Sequence, residues 1–164
     1  MSAFQFAQIG VIRSPYKENL PSRASQAVKH GGGELHLLPP YNRADAVRGW
    51  KHSVICGCCL FSIRRWKAAG AHRAPSRLGG NARMGVFATR STFRPNPIGM
   101  SLVELKGVRC HQDQVILQLG SLDLVDGTPV VDIKPYLPFA EALPDANASY
   151  AQQAPQARWR SALP

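Results

Sequence analysis

Along most of the chain apolar and polar residues alternate in short runs with a period of two, which predicts strands rather than helices. Phe4 to Ile12 alternates and stops at the turn Arg13-Ser14-Pro15-Tyr16. Glu34 to Leu38 is a short run ended by Pro39-Pro40, and Met84 to Thr89 is a third. A longer run follows Pro97, from Ile98 to Val108, and then come Gln114 to Leu119 and Val130 to Ile133. Short runs parted by Pro, Gly, Asn and Asp predict a mainly β protein: a small closed β-barrel of short strands with few helices. One helix start is expected at Asn42, as a cap for the segment RADAVRG.

At 164 residues the chain is long enough to bury a core without disulfide or metal staples. The opening MSAFQFAQIG lacks the basic and apolar blocks of a secretory leader, and no apolar run reaches membrane-spanning length. A cytoplasmic protein that does not engage the membrane is expected. Three of the four cysteines cluster at Cys56, Cys58 and Cys59, so free thiols are expected rather than disulfides. From Ala140 onward the composition turns to Ala, Gln, Pro and Asn. Residues 1–145 are therefore read as the barrel domain and 146–164 as the truncated start of a C-terminal extension. A net charge of +10 would ordinarily point to a nucleic-acid partner.

Candidate chemistry concentrates between residues 77 and 138. Arg83, Arg90 and Arg94 supply forked donors suited to carboxylate or phosphate. Pro95-Asn96-Pro97 makes a rigid turn around the Asn96 amide. The segment LDLVDGTP places Asp123 and Asp126 on a strand-end loop, where a carboxylate can accept ribose hydroxyls or a proton. Each feature also has a plainer reading: solvated or paired arginines, and an Asp-Gly turn at Asp126-Gly127. No glycine-rich nucleotide loop, HExxH or paired CxxC is present.

Taken together, GVFATRSTFRPNPIGMSLVEL and LDLVDGTPVVDIKPY, preceded by IGVIRSPYKE and GELHL, resemble the TsaA-like (TrmO) family of tRNA methyltransferases. The resemblance covers residues 1–18, 28–49 and 76–155. It implies a small β-barrel homodimer that uses S-adenosyl-L-methionine to methylate N6 of threonylcarbamoyladenosine beside the anticodon of a threonine tRNA. The cofactor is a sulfonium cation joined to an adenosine and a zwitterionic amino acid, so its site needs hydroxyl acceptors, a carboxylate partner and an apolar floor. By resemblance the cofactor falls to Arg90, Met100, Ser101 and the segment Gly120, Ser121, Leu122, Asp123 and Leu124. Arg94 and Asn96 are expected to orient substrate or cofactor. The acceptor nitrogen is nearly non-basic, so transfer needs its proton removed, and Asp126 is the candidate base.

The resemblance breaks at about 19–27, 50–75 and 156–164. In the middle gap the family carries a pattern like GLEAFSHLWVLFVFHQTMEGGWRP, whose His-Gln pair meets the cofactor. Translated one base out of step, Trp50 to His72 can encode that pattern at every position, and the other two gaps shift to family-like or open sequence in the same way. Composition agrees. Eight of the twenty Lys and Arg fall inside the three segments (Arg23, Lys51, Arg64, Arg65, Lys67, Arg73, Arg158 and Arg160), while all ten Asp and Glu fall outside. Most of the basicity is thus local to these segments, and it is discounted as evidence for RNA binding. Three reading-frame slips are inferred. A chain made as written is expected to fold poorly and to bind little cofactor, because unpaired Arg64, Arg65 and Lys67 would replace a buried apolar segment at several kcal/mol each.

Two readings compete with the enzyme. A non-catalytic barrel could hold RNA through Arg83, Arg90 and Arg94, or the chain could be an inactive frame-shifted product. A metal module on Cys56, Cys58, Cys59 and His52 or His72 is disfavoured, since C-x-C-C without a second pair suits a tetrahedral site poorly, and no metal is expected.

Overall fold

In a computed structural model of the chain, residues 4–17, 32–50, 55–61, 85–90, 94–122 and 124–147 are described, with 55–61 described by its backbone. Six strands form a closed antiparallel barrel. They are β1 (Gly10–Arg13), β2 (Gly33–Leu37), β3 (Ile55–Phe61), β4 (Ile98–His111), β5 (Gln114–Leu119) and β6 (Pro129–Pro135), arranged in the order β1-β2-β5-β4-β3-β6 and closed by β6 against β1. The expected closed barrel is the observed one.

Period-two alternation builds the core. On β5, Val115, Leu117 and Leu119 are buried between the less buried Gln114, Ile116 and Gln118. Opposite them on β2, Leu35 pairs with Leu117 and is also buried. Ile12, Val103, Leu105, Leu122 and Val130 complete the same cluster. Each such side chain contributes about 1.5–3 kcal/mol by leaving water, which is why a chain of short strands holds together.

Close approach decides the residue at position 33. A Cβ at Gly33 would lie 2.4 Å from Cδ2 of Leu122 and 3.0 Å from the Arg13 carbonyl. Only glycine lets the loop after β5 pack its leucine against β2. Two register shifts, between Leu105 and Gly107 of β4 and between Cys59 and Leu60 of β3, add the bend that closing a small sheet requires.

Several expectations need correction. Of the strand expected over Met84 to Thr89, Val86–Ala88 is instead a 3₁₀ turn with no buried residue, and Met84 lies outside the described residues. The helix expected after Asn42 is a 3₁₀ turn, Ala44–Val47, flanked by Arg43 without a side-chain cap. The Asn42 amide instead donates to the Asp113 carbonyl, which removes the capping group the helix needed. Val47 is buried from that turn and Trp50 packs beside the core. Phe4 to Ile9 stays outside the sheet, with Phe4 and Phe6 exposed. Unanticipated elements are β3 and a four-residue helix α1, Pro138–Glu141.

Strand β3 lies inside the 50–75 gap and pairs along its length with β4 and along most of it with β6. Arg64, Arg65 and Lys67, like 19–27, 156–164, His52 and His72, lie outside the described residues, as do the side chains of Cys56, Cys58 and Cys59. No helix among the described residues is long and apolar enough to cross a membrane.

Candidate cofactor and substrate site

The arginine segment is laid against the start of β4. Arg90 is exposed, and its guanidinium donates one hydrogen bond, at 3.4 Å, to the Met100 carbonyl. Arg94 donates to the Thr89 carbonyl at 3.3 Å, which closes the loop between them, and its guanidinium carbon lies 5.9 Å from the centre of the Phe87 ring. Asn96 is exposed within the Pro95–Pro97 turn, and its carbonyl accepts the Ile98 N–H at 2.7 Å. This tight closure directs the chain into β4.

At its beginning β4 is unusual in what it turns outward. Met100 is 61% exposed and Leu102 58%, whereas Ser101 between them is half-buried and Val103 is buried. Met100 and Leu102 together form a small apolar strip on the strand's outer face. Next along the strand, the Glu104 carbonyl accepts the Gly120 N–H at 2.7 Å, bringing the loop after β5 to the same strand. A Cβ on Gly120 would come within 2.9 Å of Cβ of Glu104, so a bare backbone is needed there. Ser121 is exposed. Leu122 is fully buried and committed to the core, so it offers a ligand only its backbone. Met100 and Glu104 are four residues apart, about 13 Å of strand, so a ligand reaching both must be elongated. Asp123 and Arg83 lie outside the described residues.

Asp126 is engaged elsewhere. One carboxylate oxygen accepts the Ser14 N–H at 3.0 Å, and the other lies 2.9 Å from Nζ of Lys17 and 4.0 Å from Arg13. The Asp126 N–H donates to the Tyr16 carbonyl, Gly127 N–H to that of Ile12, and Ser14 Oγ to that of Leu124. The Lys17 ammonium first, and then the Ser14 hydrogen bond, hold the carboxyl below its ordinary pKa. A carboxylate so stabilised is a poorer base than a free one, and the geometry favours the plainer role of a turn that locks the exit of β1. Leu124, half-buried, belongs to that lock.

A family model described as the tRNA-methyltransferase O N-terminal domain matches residues 11–142. The chain belongs to the tRNA-methyltransferase O family. It is 68% identical over 163 residues to the tRNA (adenine(37)-N6)-methyltransferase of Escherichia coli K12, an alignment covering 96% of this chain and 68% of that protein. Over 134 residues it is 38% identical to a Methanothermobacter thermautotrophicus protein described as a probable S-adenosyl-L-methionine-binding protein, covering 78% of this chain and 86% of that one. Among solved structures, TrmO from Pseudomonas aeruginosa superposes with a TM-score of 0.76 at 34% identity, covering 94% of this chain and 66% of that one. The chain therefore spans about two thirds of the length of the Escherichia coli and Pseudomonas relatives.

For a member of this family the donor set at the start of β4 fits an S-adenosylmethionine molecule. Arg90 would supply a cation for a carboxylate, Met100 and Leu102 an apolar strip, and Gly120 to Leu122 a backbone edge. Among the described residues no group of three or more His, Cys, Asp or Glu is placed to hold a metal ion. What sequence reasoning missed is Phe87, 77% exposed beside Arg94. The signal was an aromatic residue in a basic segment without a carboxylate, hidden by reading that segment as a strand.

Proposed function

We propose that this chain carries the methyl-transfer domain of a tRNA (adenine-N6)-methyltransferase that uses S-adenosyl-L-methionine. Its substrate is N6 of threonylcarbamoyladenosine next to the anticodon of a threonine tRNA, and it works as a cytoplasmic homodimer. The observation that carries this reading is the 68% identity to the Escherichia coli enzyme. It is supported by the exposed Arg90, Met100 and Ser121 on one stretch of barrel wall.

The cofactor supplies an electrophilic methyl group on a sulfonium. The protein's part is placement, since an in-line transfer held at the right distance gains most of its rate from orientation. Arg90 holds the cofactor's carboxylate, Met100 and Leu102 line its apolar side, and the Gly120 to Leu124 loop meets its nucleoside. Arg94 and Asn96 face the RNA and orient the acceptor nitrogen. Asp126 acts on this arrangement by fixing the loop that follows Leu124.

Incubating methyl-labelled S-adenosylmethionine with tRNA from cells lacking the activity, followed by nucleoside mass spectrometry, tests the assignment. The protein with its three segments restored to one frame should place label on N6 of the modified adenosine, well above the chain as written. Unlabelled tRNA with the restored protein contradicts the reading. RNA binding with no S-adenosylmethionine binding in either form would favour the non-catalytic barrel.

A further inference from the structure

The 3₁₀ turn ahead of the arginines holds an aromatic ring in water. Phe87 is 77% exposed, although a side chain of its kind is ordinarily spent on a core or an interface. The Arg94 guanidinium sits 5.9 Å from the ring centre, and the same guanidinium is tied to the Thr89 carbonyl, so ring and cation are held as a pair. Three residues beyond Phe87, Arg90 is anchored to the Met100 carbonyl, which places the ring one short loop from the apolar strip on β4. From Arg77 to Val103 the chain contains no Asp or Glu. An exposed aromatic ring beside a guanidinium group, in a stretch of sequence without Asp or Glu, is the chemistry by which proteins take unpaired bases: the ring stacks on the base and the cations meet its phosphates.

We propose that Phe87 is the stacking platform for one unpaired base of the RNA loop, with Arg94 bracing the ring and Arg90 and Arg94 facing the flanking phosphates. This rests on the tRNA reading above and adds to it a specificity-determining residue outside the cofactor contacts. Phe87 positions the loop so that its target base reaches the methyl group; it does not touch the methyl group itself.

The test uses the protein with its three segments restored to one frame, an end-labelled anticodon stem-loop RNA and a blunt duplex RNA of equal length, followed by fluorescence anisotropy. Phe87→Ala should weaken stem-loop binding about ten-fold or more, in keeping with the loss of one stacked base. Phe87→Trp should restore it, and duplex binding should not change. Calorimetry should give the same S-adenosylmethionine affinity for Phe87→Ala as for the parent, which separates this role from a fault in folding or in the cofactor site. Equal stem-loop affinity for Phe87→Ala and parent overturns the proposal while leaving the tRNA reading intact. A Phe87→Ala protein that changes oligomeric state by light scattering also overturns it, assigning the ring to a contact between copies. A frame-restored parent that binds no stem-loop RNA at all overturns the tRNA reading, and this inference with it.

Discussion

The start and the middle of β4 obey different rules. In its middle, buried Val103 and Leu105 alternate with exposed Glu104 and Lys106, the pattern of a strand with one face in the core and one in water. At its start the outer positions are Met100 and Leu102, apolar and more than half exposed, with Arg90 hydrogen-bonded to the Met100 carbonyl. Both regions share one backbone and the same barrel, so packing alone does not explain the difference. Where the outer face is polar the strand serves the fold, and the apolar outer face at its start is the one the proposed function assigns to a ligand. A nearby strand makes the same point. On β2 the outward Glu34 pairs with His36 and Arg109, neutralising its own surface rather than offering it to a partner.

The sharpest way to break this contrast is to shorten a side chain in each of the two regions of the strand. Leu105→Ala should cost about 2–5 kcal/mol, a large share of a total stability of about 5–15 kcal/mol, seen as a lower midpoint in urea denaturation. Gly33→Ala should cost about 1–3 kcal/mol in the same assay, because the added Cβ would press on Leu122 in the core. Leu102→Ala, three residues from Leu105, should change stability by no more than about 0.5 kcal/mol. A loss at Leu102 equal to that at Leu105 would show that its exposed face is structural after all.

The smallest effect is expected from Asp126→Asn, and its signature is pH dependence. The folded pKa of Asp126 lies below its unfolded value, so the carboxylate stabilises the fold above the ordinary value of about 3.9, and that contribution fades as pH falls through the folded pKa. Melting curves should separate variant from parent near neutral pH and converge in acid, with methyl transfer largely retained near neutral pH. Loss of transfer with unchanged melting would instead return Asp126 to the role of base.

Where core contacts imposed the pattern, the sequence was readable. Strands β2 and β5 and the heart of β4 and β6 follow from alternation, because a one-residue slip would turn every leucine to water. Val86–Ala88 was not readable, since a short apolar run looks the same whether it is buried as a strand or held outward by a turn. Asn42 has the right chemistry for a cap and spends it on a distant carbonyl instead. Strand β3 has no alternation to read: its sequence ICGCCLF comes from a segment whose family-like message is visible only out of frame. Sequencing the gene across codons 15–80 and 150–164 checks that inference, and an intact frame through all three segments would refute it. At the site, the arginines and the Gly120 loop were legible from motif resemblance. Phe87 and the engagement of Asp126 with Lys17 and Ser14 depend on contacts between distant parts of the chain, which no local pattern encodes.

The central claim is that the outward face at the start of β4, reached by Arg90, holds the cofactor. Titration calorimetry with S-adenosylmethionine on the frame-restored protein and its Arg90→Ala variant, each with a melting curve, tests it most directly. The account predicts binding weaker by about ten- to a hundred-fold, the value of a charge-assisted hydrogen bond lost, with an unchanged melting temperature. Equal affinity in the two proteins would contradict it.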